Sequence, residues 1–277
     1  MTPRVAIPSK GRLRDSVLEL LDHAGYRTGG FRGSGARATI DGIEFIEMRP
    51  RDAGAWLAAG RLDGAIVSTD IVLEEQIESS HRTPLGFSKS DLVVASREDD
   101  GRAEPADLAG ATIATHLPRA TNTWFQRLGI EVNVVTMGGA LEGVCAAGLA
   151  DAVVDLRETG SSLAQNRLRV LAELAACEAE FVVASDALTD LSVRLDAAIR
   201  AKRHRYLMLH LPPGRIDGLS HIFPGLAAPT VLPLAGRDDI VAVHLVVEQR
   251  SLFQRLGELQ QLGATGIVAL PPDALLP

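Results

Sequence analysis

The chain has 277 residues, a net charge of -7, 46% apolar residues and only 4% aromatics. That length exceeds one ordinary core and favours two or three domains with clefts between them, built mainly from Ala, Val, Leu and Ile. The negative balance excludes general attraction to nucleic acid or acidic membranes, which requires concentrated Lys and Arg.

Short apolar runs alternate with amphipathic ones along the chain: residues 5–7 then 13–24, 64–67 then 71–77, 111–114 then 123–128. This is the pattern of strand-helix-strand units around a largely parallel sheet, hence an α/β fold. Two such lobes are expected, one from residues 1–88 completed by a helix at 186–205, the other from residues 89–185. Leu188, Leu191, Leu195 and Ile199 mark one side of that helix. Strands at 206–211, 229–232, 240–247 and 266–270, with helices at 216–222 and 252–262, give the order β-α-β-β-α-β and predict a ferredoxin-like module over 206–277. Cys145 and Cys177 lie in apolar or Ala-rich surroundings with no metal-ligand spacing, so both are expected as reduced core residues. The start, Met1 to Arg4, lacks the layout of a signal peptide, and no apolar run approaches the roughly 20 residues that span a bilayer; a cytoplasmic protein is the expectation.

The most informative stretch is residues 142–163, EGVCAAGLADAVVDLRETGSSL. It reads as a helix, a buried strand at 152–155, and a loop at 156–162 that opens another helix. Asp155 would end the strand, where open α/β sheets place their ligands. Thr159, Gly160, Ser161 and Ser162 offer hydroxyls and backbone N–H groups suited to a phosphate, although a merely capped turn has the same composition.

The longer pattern, from Glu142 through Gly148, Val153, Asp155-Leu156 and Thr159-Gly160 to Leu163, resembles the signature of the ATP phosphoribosyltransferase family, with Ser162 where Thr is usual. Resemblance extends to Ile7-Pro8-Ser9-Lys10-Gly11-Arg12-Leu13 and to Met48-Arg49-Pro50-Arg51-Asp52, where Arg51 stands in a Lys position. It also reaches a C-terminal module marked by Tyr206 to Leu209, Pro224-Gly225-Leu226 and Pro229-Thr230-Val231. The resemblance implies two periplasmic-binding-protein-like lobes around a catalytic cleft, plus a ferredoxin-like (ACT-like) regulatory domain, assembled as dimers or hexamers.

It also implies ATP and phosphoribosyl pyrophosphate as substrates, in the first step of histidine biosynthesis. Leu156, Arg157, Glu158, Thr159, Gly160, Ser161, Ser162 and Leu163 would hold the 5-phosphate, and Asp155 with Glu142 would face the ribose; a solvated helix carboxylate and a loop cap are the plainer readings of these two acids. Arg49 would join Glu142 and Asp155 in catalysis, and Lys10, Gly11, Arg12, Arg49, Arg51 and Asp70 would form the ATP side. Mg²⁺ would arrive with the pyrophosphate, with no fixed metal site. N1 of adenine carries no proton at neutral pH, so displacement at C1 needs neither a base nor a covalent nucleophile, and His116 is read chiefly as a loop residue.

Departures fall at Ala65 and Ser68, where the family usually has Gly, and at Leu117 and Arg119, where Tyr and Asn are usual. They keep open a paralogue serving a specialised nucleoside-type pathway and a non-catalytic binding or regulatory homologue. Pro212 stands where an acid or amide usually holds the effector's amino group, which implies weak or absent inhibition by histidine.

Overall fold

The computed structural model describes residues 2–32, 37–224 and 229–276; two of the C-terminal markers, Gly225 and Leu226, lie outside that range. The chain divides into two compact units, Met1–Asp22 with Tyr26–Ser192, and His23–Gly25 with Val193–Pro277.

The first unit contains two sheets. One is built from β1 (Arg4–Pro8), β2 (Arg37–Ile40), β3 (Ile43–Met48), β4 (Gly64–Ser68) and β5 (His81–Pro84), with α1 (Gly11–His23), α2 (Pro50–Ala58) and α3 (Thr69–Glu75) between them. The other comprises β6 (Ser90–Arg97), β7 (Thr112–Thr115), β8 (Asn133–Thr136), β9 (Ala152–Arg157) and β10 (Leu168–Cys177), with α4 (Pro118–Arg127), α5 (Leu141–Ala146) and α6 (Ser161–Gln165). The chain then returns to the first sheet as β11 (Ala179–Val183), giving the orders β2-β3-β1-β4-β11-β5 and β10-β6-β9-β7-β8. The return therefore precedes the boundary at residue 185 read from the sequence.

Neither sheet is largely parallel, contrary to the sequence expectation. β1 runs parallel to β3 and β4, but β2, β11 and β5 pair antiparallel. In the second sheet β7 is parallel to β8 and β9, whereas β6 opposes both β9 and β10. Apolar runs buried on both faces look alike in either direction, which is why periodicity missed this.

Alternation along β6 sends Leu92 and Val94 into one apolar cluster and Val93 and Ala95 into another, so both faces of the second sheet are packed. In the first sheet Ala6, Ala65, Val67 and Val182 pack against Ala53, Leu57, Ile71 and Val72 from α2 and α3. Phe45 on β3 meets Tyr26 and Phe31 edge-on, with ring centroids 5.8 and 6.4 Å away.

The chain passes into the second unit within α7 (Thr189–Arg203). There follow β12 (His204–Leu211), α8 (Gly218–Ile222), β13 (Thr230–Leu234), β14 (Arg237–Glu248), α9 (Gln249–Gln254), α10 (Leu256–Gln261) and β15 (Thr265–Leu270). The strands form an antiparallel sheet of order β13-β14-β12-β15, the ferredoxin-like arrangement. Leu207, Leu209, Leu211, Val243, Leu245 and Val247 alternate onto one face, where Leu219, Ile222, Leu252 and Leu259 cover them. The expected helix over 252–262 is broken at Arg255, whose φ of -112° and ψ of 11° leave the helical region.

Candidate active site

Parallel pairing of β1 with β3 and β4 brings three strand C-termini to one edge, the edge at which open α/β sheets bind ligands. The Ser9 N–H donates to the Met48 carbonyl at 3.0 Å and ties the turn after β1 to the end of β3. Lys10, Gly11 and Arg12 stand exposed there at the start of α1. Arg49, also exposed, is the extended N-cap residue of α2, followed by Pro50, whose missing N–H costs nothing at the first helical position. Arg51 donates to the backbone carbonyl of His116 on the second lobe. Gly54 lets α2 approach α3 closely, since a Cβ there would lie 2.3 Å from Ile71 Cγ2. Asp70, in the first turn of α3, is only 3% exposed, and its Oδ1 is buried with no hydrogen-bond partner among the described residues.

On the second lobe, parallel register pairs Thr115 with Val154, so the residues that follow, His116 and Asp155, emerge side by side. His116 Nδ1 lies 3.5 Å from Asp155 Oδ1. Thr115 Oγ1 donates to the Val154 carbonyl at 2.8 Å and accepts the Leu117 N–H at 3.0 Å, holding the two strand ends together. Asp155 Oδ1 accepts the Leu156 N–H at 2.8 Å. Burial pushes the Asp155 carboxyl above its ordinary pKa, and the negative charges of Glu142 and Asp70 push the same way, against the Leu156 N–H and His116. Glu142, in the first turn of α5, is half-buried.

The predicted phosphate loop is shorter than the sequence suggested, because Leu156 and Arg157 belong to β9. Leu156 packs against the apolar cluster of Leu92 and Val154, and Arg157 spends its guanidinium on Asp91 at 2.6 Å and Glu173 at 3.9 Å. Leu163 lies in the core with Leu141 and Val153. That leaves Glu158 to Ser162 facing outward. Glu158 Oε2 is 3.7 Å from Arg12 Nη2 across the cleft, Thr159 Oγ1 is 3.1 Å from Ser161 Oγ, and Gly160 holds φ +77° ahead of α6.

The departures from the family pattern acquire physical accounts. The Ala65 methyl is buried in the core behind β4, and Ser68 has φ -98°, which needs no glycine. Leu117 fills the apolar cluster under β7. Arg119 pairs with Glu75 at 3.1 Å, beside the Glu74 carboxylate that accepts the Ala120 N–H at 3.0 Å, so α3 clasps the start of α4. His116, read from the sequence chiefly as a loop residue, follows β7 directly and stands beside Asp155 on the parallel neighbour β9.

Comparisons with known proteins agree with this architecture. Residues 49–201 match the family model described as ATP phosphoribosyltransferase, and residues 201–272 match the model of the HisG C-terminal domain. A protein of Natronomonas pharaonis named ATP phosphoribosyltransferase is 34% identical over 99% of this chain and 100% of its own length. One of the same name from Gemmatimonas aurantiaca is 34% identical over 99% of each. The solved "ATP phosphoribosyl transferase (HisG:HisZ) complex from Thermotoga maritima" superposes with a TM-score of 0.58 at 28% identity, covering 68% of this chain and 90% of that one.

Two α/β lobes, with cations at one cleft edge and carboxylates and a hydroxyl-bearing loop at the other, together with these matches mark an enzyme of the phosphoribosyltransferase class. Within that class, the chain belongs to the ATP phosphoribosyltransferase family and carries its C-terminal domain. No helix among the described residues is long and apolar enough to cross a membrane.

Proposed function

We propose that the chain transfers the 5-phosphoribosyl group of phosphoribosyl pyrophosphate to N1 of ATP, giving phosphoribosyl-ATP and pyrophosphate, the first step of histidine biosynthesis. The observation that carries this reading is the meeting of two unlike edges. Asp155 and Glu142 stand on the second lobe, where the charges of Glu142 and of Asp70 from the facing lobe both act on the Asp155 carboxyl, and Lys10, Arg12, Arg49 and Arg51 rim the first lobe, with Arg51 joined to His116 between them.

The nucleophile is a neutral ring nitrogen and the leaving group a pyrophosphate, so bond breaking leads and C1 gains oxocarbenium character. Asp155 and Glu142 face the ribose, where fixed negative charge favours that cation more than the neutral ground state. A carboxylate that is costly to bury when alone is suited to the task, because the developing positive charge supplies the partner it lacks. Thr159, Gly160, Ser161 and Ser162 hold the 5-phosphate through hydroxyl and backbone N–H groups. Lys10, Gly11, Arg12, Arg49 and Arg51 meet the polyphosphates, with Arg49 nearest the chemistry. Asp70, on the ATP side and only 3% exposed, adds its charge to the field at Asp155. Mg²⁺ enters as part of the pyrophosphate substrate, carried on its phosphate oxygens and not in a dedicated protein cage.

The lobe of the first sheet, which the chain rejoins at β11 before residue 185, takes ATP, the lobe of the second sheet takes the phosphoribosyl group, and residues 206–277 serve as a regulatory domain. The enzyme works in the cytoplasm as a homo-oligomer, dimer or hexamer. Pyrophosphate release from the two substrates tests the assignment. Asp155→Asn should lower kcat by about 10²- to 10³-fold, the usual cost of one transition-state contact, with phosphoribosyl pyrophosphate affinity changed only a few-fold. Undiminished turnover would remove Asp155 from the chemistry.

A further inference from the structure

A cavity of about 290 Å³ lies between α3 and α4, away from the cleft residues. Its volume is at the small end of those that hold small molecules. One wall is a single face of α4, where Ala120, Thr123, Trp124 and Arg127 follow the helical spacing i, i+3, i+4, i+7. The facing wall is the end of α3, and the floor is apolar, from β6 and β10.

Charge is distributed unevenly around this space. The other guanidinium on the wall, Arg82, is held by both oxygens of Glu180 at 2.6 and 2.7 Å. Arg127 has no hydrogen-bond or ion-pair partner among the described residues and stands exposed beside half-buried Trp124. None of the lining residues is acidic. Gln76 on the rim has φ +50°, a left-handed conformation that glycine would hold at less strain, so a polar side chain is retained where the backbone favours none.

We propose that this cavity binds a small apolar monocarboxylate, its anion on Arg127 with Gln76 and Thr123 as neutral donors, and its hydrocarbon body against Trp124 and Leu73. A free guanidinium beside an indole suits a carboxylate attached to a flat or branched hydrocarbon. The missing acid excludes the zwitterions of free amino acids, whose ammonium would be left without a counter-charge. Because α3 carries Asp70 and α4 begins just after His116, the ligand would touch both helices of the Glu74 and Arg119 clasp. The site stands apart from the reading of the cleft and does not depend on it.

The chain has two tryptophans, so Trp56→Phe leaves Trp124 as the sole indole reporter. In that background 3-phenylpropionate should change Trp124 emission saturably, whereas 3-phenylpropanamide and phenylalanine should each bind at least about tenfold more weakly. Arg127→Met should lose a similar factor for the carboxylate with an unchanged melting curve. Equal binding of the amide, an Arg127→Met protein that binds as before, or the lack of saturation would each overturn the proposal. So would a change in sedimentation of Arg127→Met without carboxylate binding, which would make this face a contact between copies of the chain.

Discussion

Gly160 separates two reasons why the loop before α6 requires a glycine. The residue has φ +77°, and a Cβ placed on it would meet only Arg157 Cδ at 3.7 Å and Cγ at 3.9 Å, ordinary contacts. The protein thus has room for a methyl group, and the cost of Gly160→Ala is conformational. An L-residue in the left-handed region costs about 1–2 kcal/mol, and Asn bears that region better because its side chain bonds locally. If the backbone sets the requirement, Gly160→Ala should weaken phosphoribosyl pyrophosphate binding by roughly 5- to 30-fold, the equivalent of that energy, and Gly160→Asn by less. If a bound phosphate presses on the position, the larger Asn should be the worse of the two. Calorimetric titration of the three proteins, with melting curves as a control for folding, distinguishes these cases. Unaltered affinity in both variants would refute the placement of the phosphate at this loop.

Three further outcomes follow from the same geometry. The folded-state pKa of Asp155 is raised, so its favourable contribution to stability belongs to the neutral form; that contribution is complete below the unfolded pKa of about 3.9 and is lost as pH rises through the folded value. Asp155→Asn should accordingly melt higher than wild type at neutral pH, with the gap closing in acid; a lower melting temperature at pH 7 would show that His116 outweighs burial. Cys177, buried and beside the Asp70 carboxylate, has its thiol pKa pushed up to about 12, so at pH 8 it should resist a disulfide reagent until the protein unfolds, and rapid modification of native protein would contradict that. Histidine from micromolar to millimolar concentration should inhibit weakly or not at all, because Pro212 after β12 has neither a side-chain acceptor nor a charge for an ammonium; potent inhibition in steady-state kinetics would displace Pro212 from the effector site.

The sequence made one half of this plan easy to read. The strand read at 64–67 is one residue short of β4 and the one read at 206–211 two residues short of β12, and the ferredoxin-like order follows from counting elements, because short antiparallel strands with covered inner faces show period-two alternation. Asp155 was legible because a buried apolar run stops at an acid. Strand direction was not legible, since Val153 and Val94 are buried whichever way their neighbours run. The role of Arg157 was hidden because its partners, Asp91 and Glu173, lie on strands distant in sequence. His116 was passed over for want of a proton to move, although what the fold gives it is a place beside Asp155 and a carbonyl for Arg51.

The second lobe enters and leaves through one narrow place. β5 and β11 are hydrogen-bonded neighbours, Glu180 opposite Pro84, and just beyond them Leu85 and Ala179 are joined by an N–H to carbonyl bond of 2.9 Å. Everything from Phe87 to Glu178 is therefore an insertion whose two ends nearly touch. A lobe tethered through one two-stranded ribbon has bending and twisting about that ribbon as its least costly motions, like a book on its spine, and here the contacts of Glu74 and Glu75 with the start of α4 hold the pages together. The spine also sets an engineering limit: residues between 87 and 178 could be exchanged as a block and leave the first sheet's hydrogen bonding intact, whereas a cut within β5 or β11 would free both halves at once.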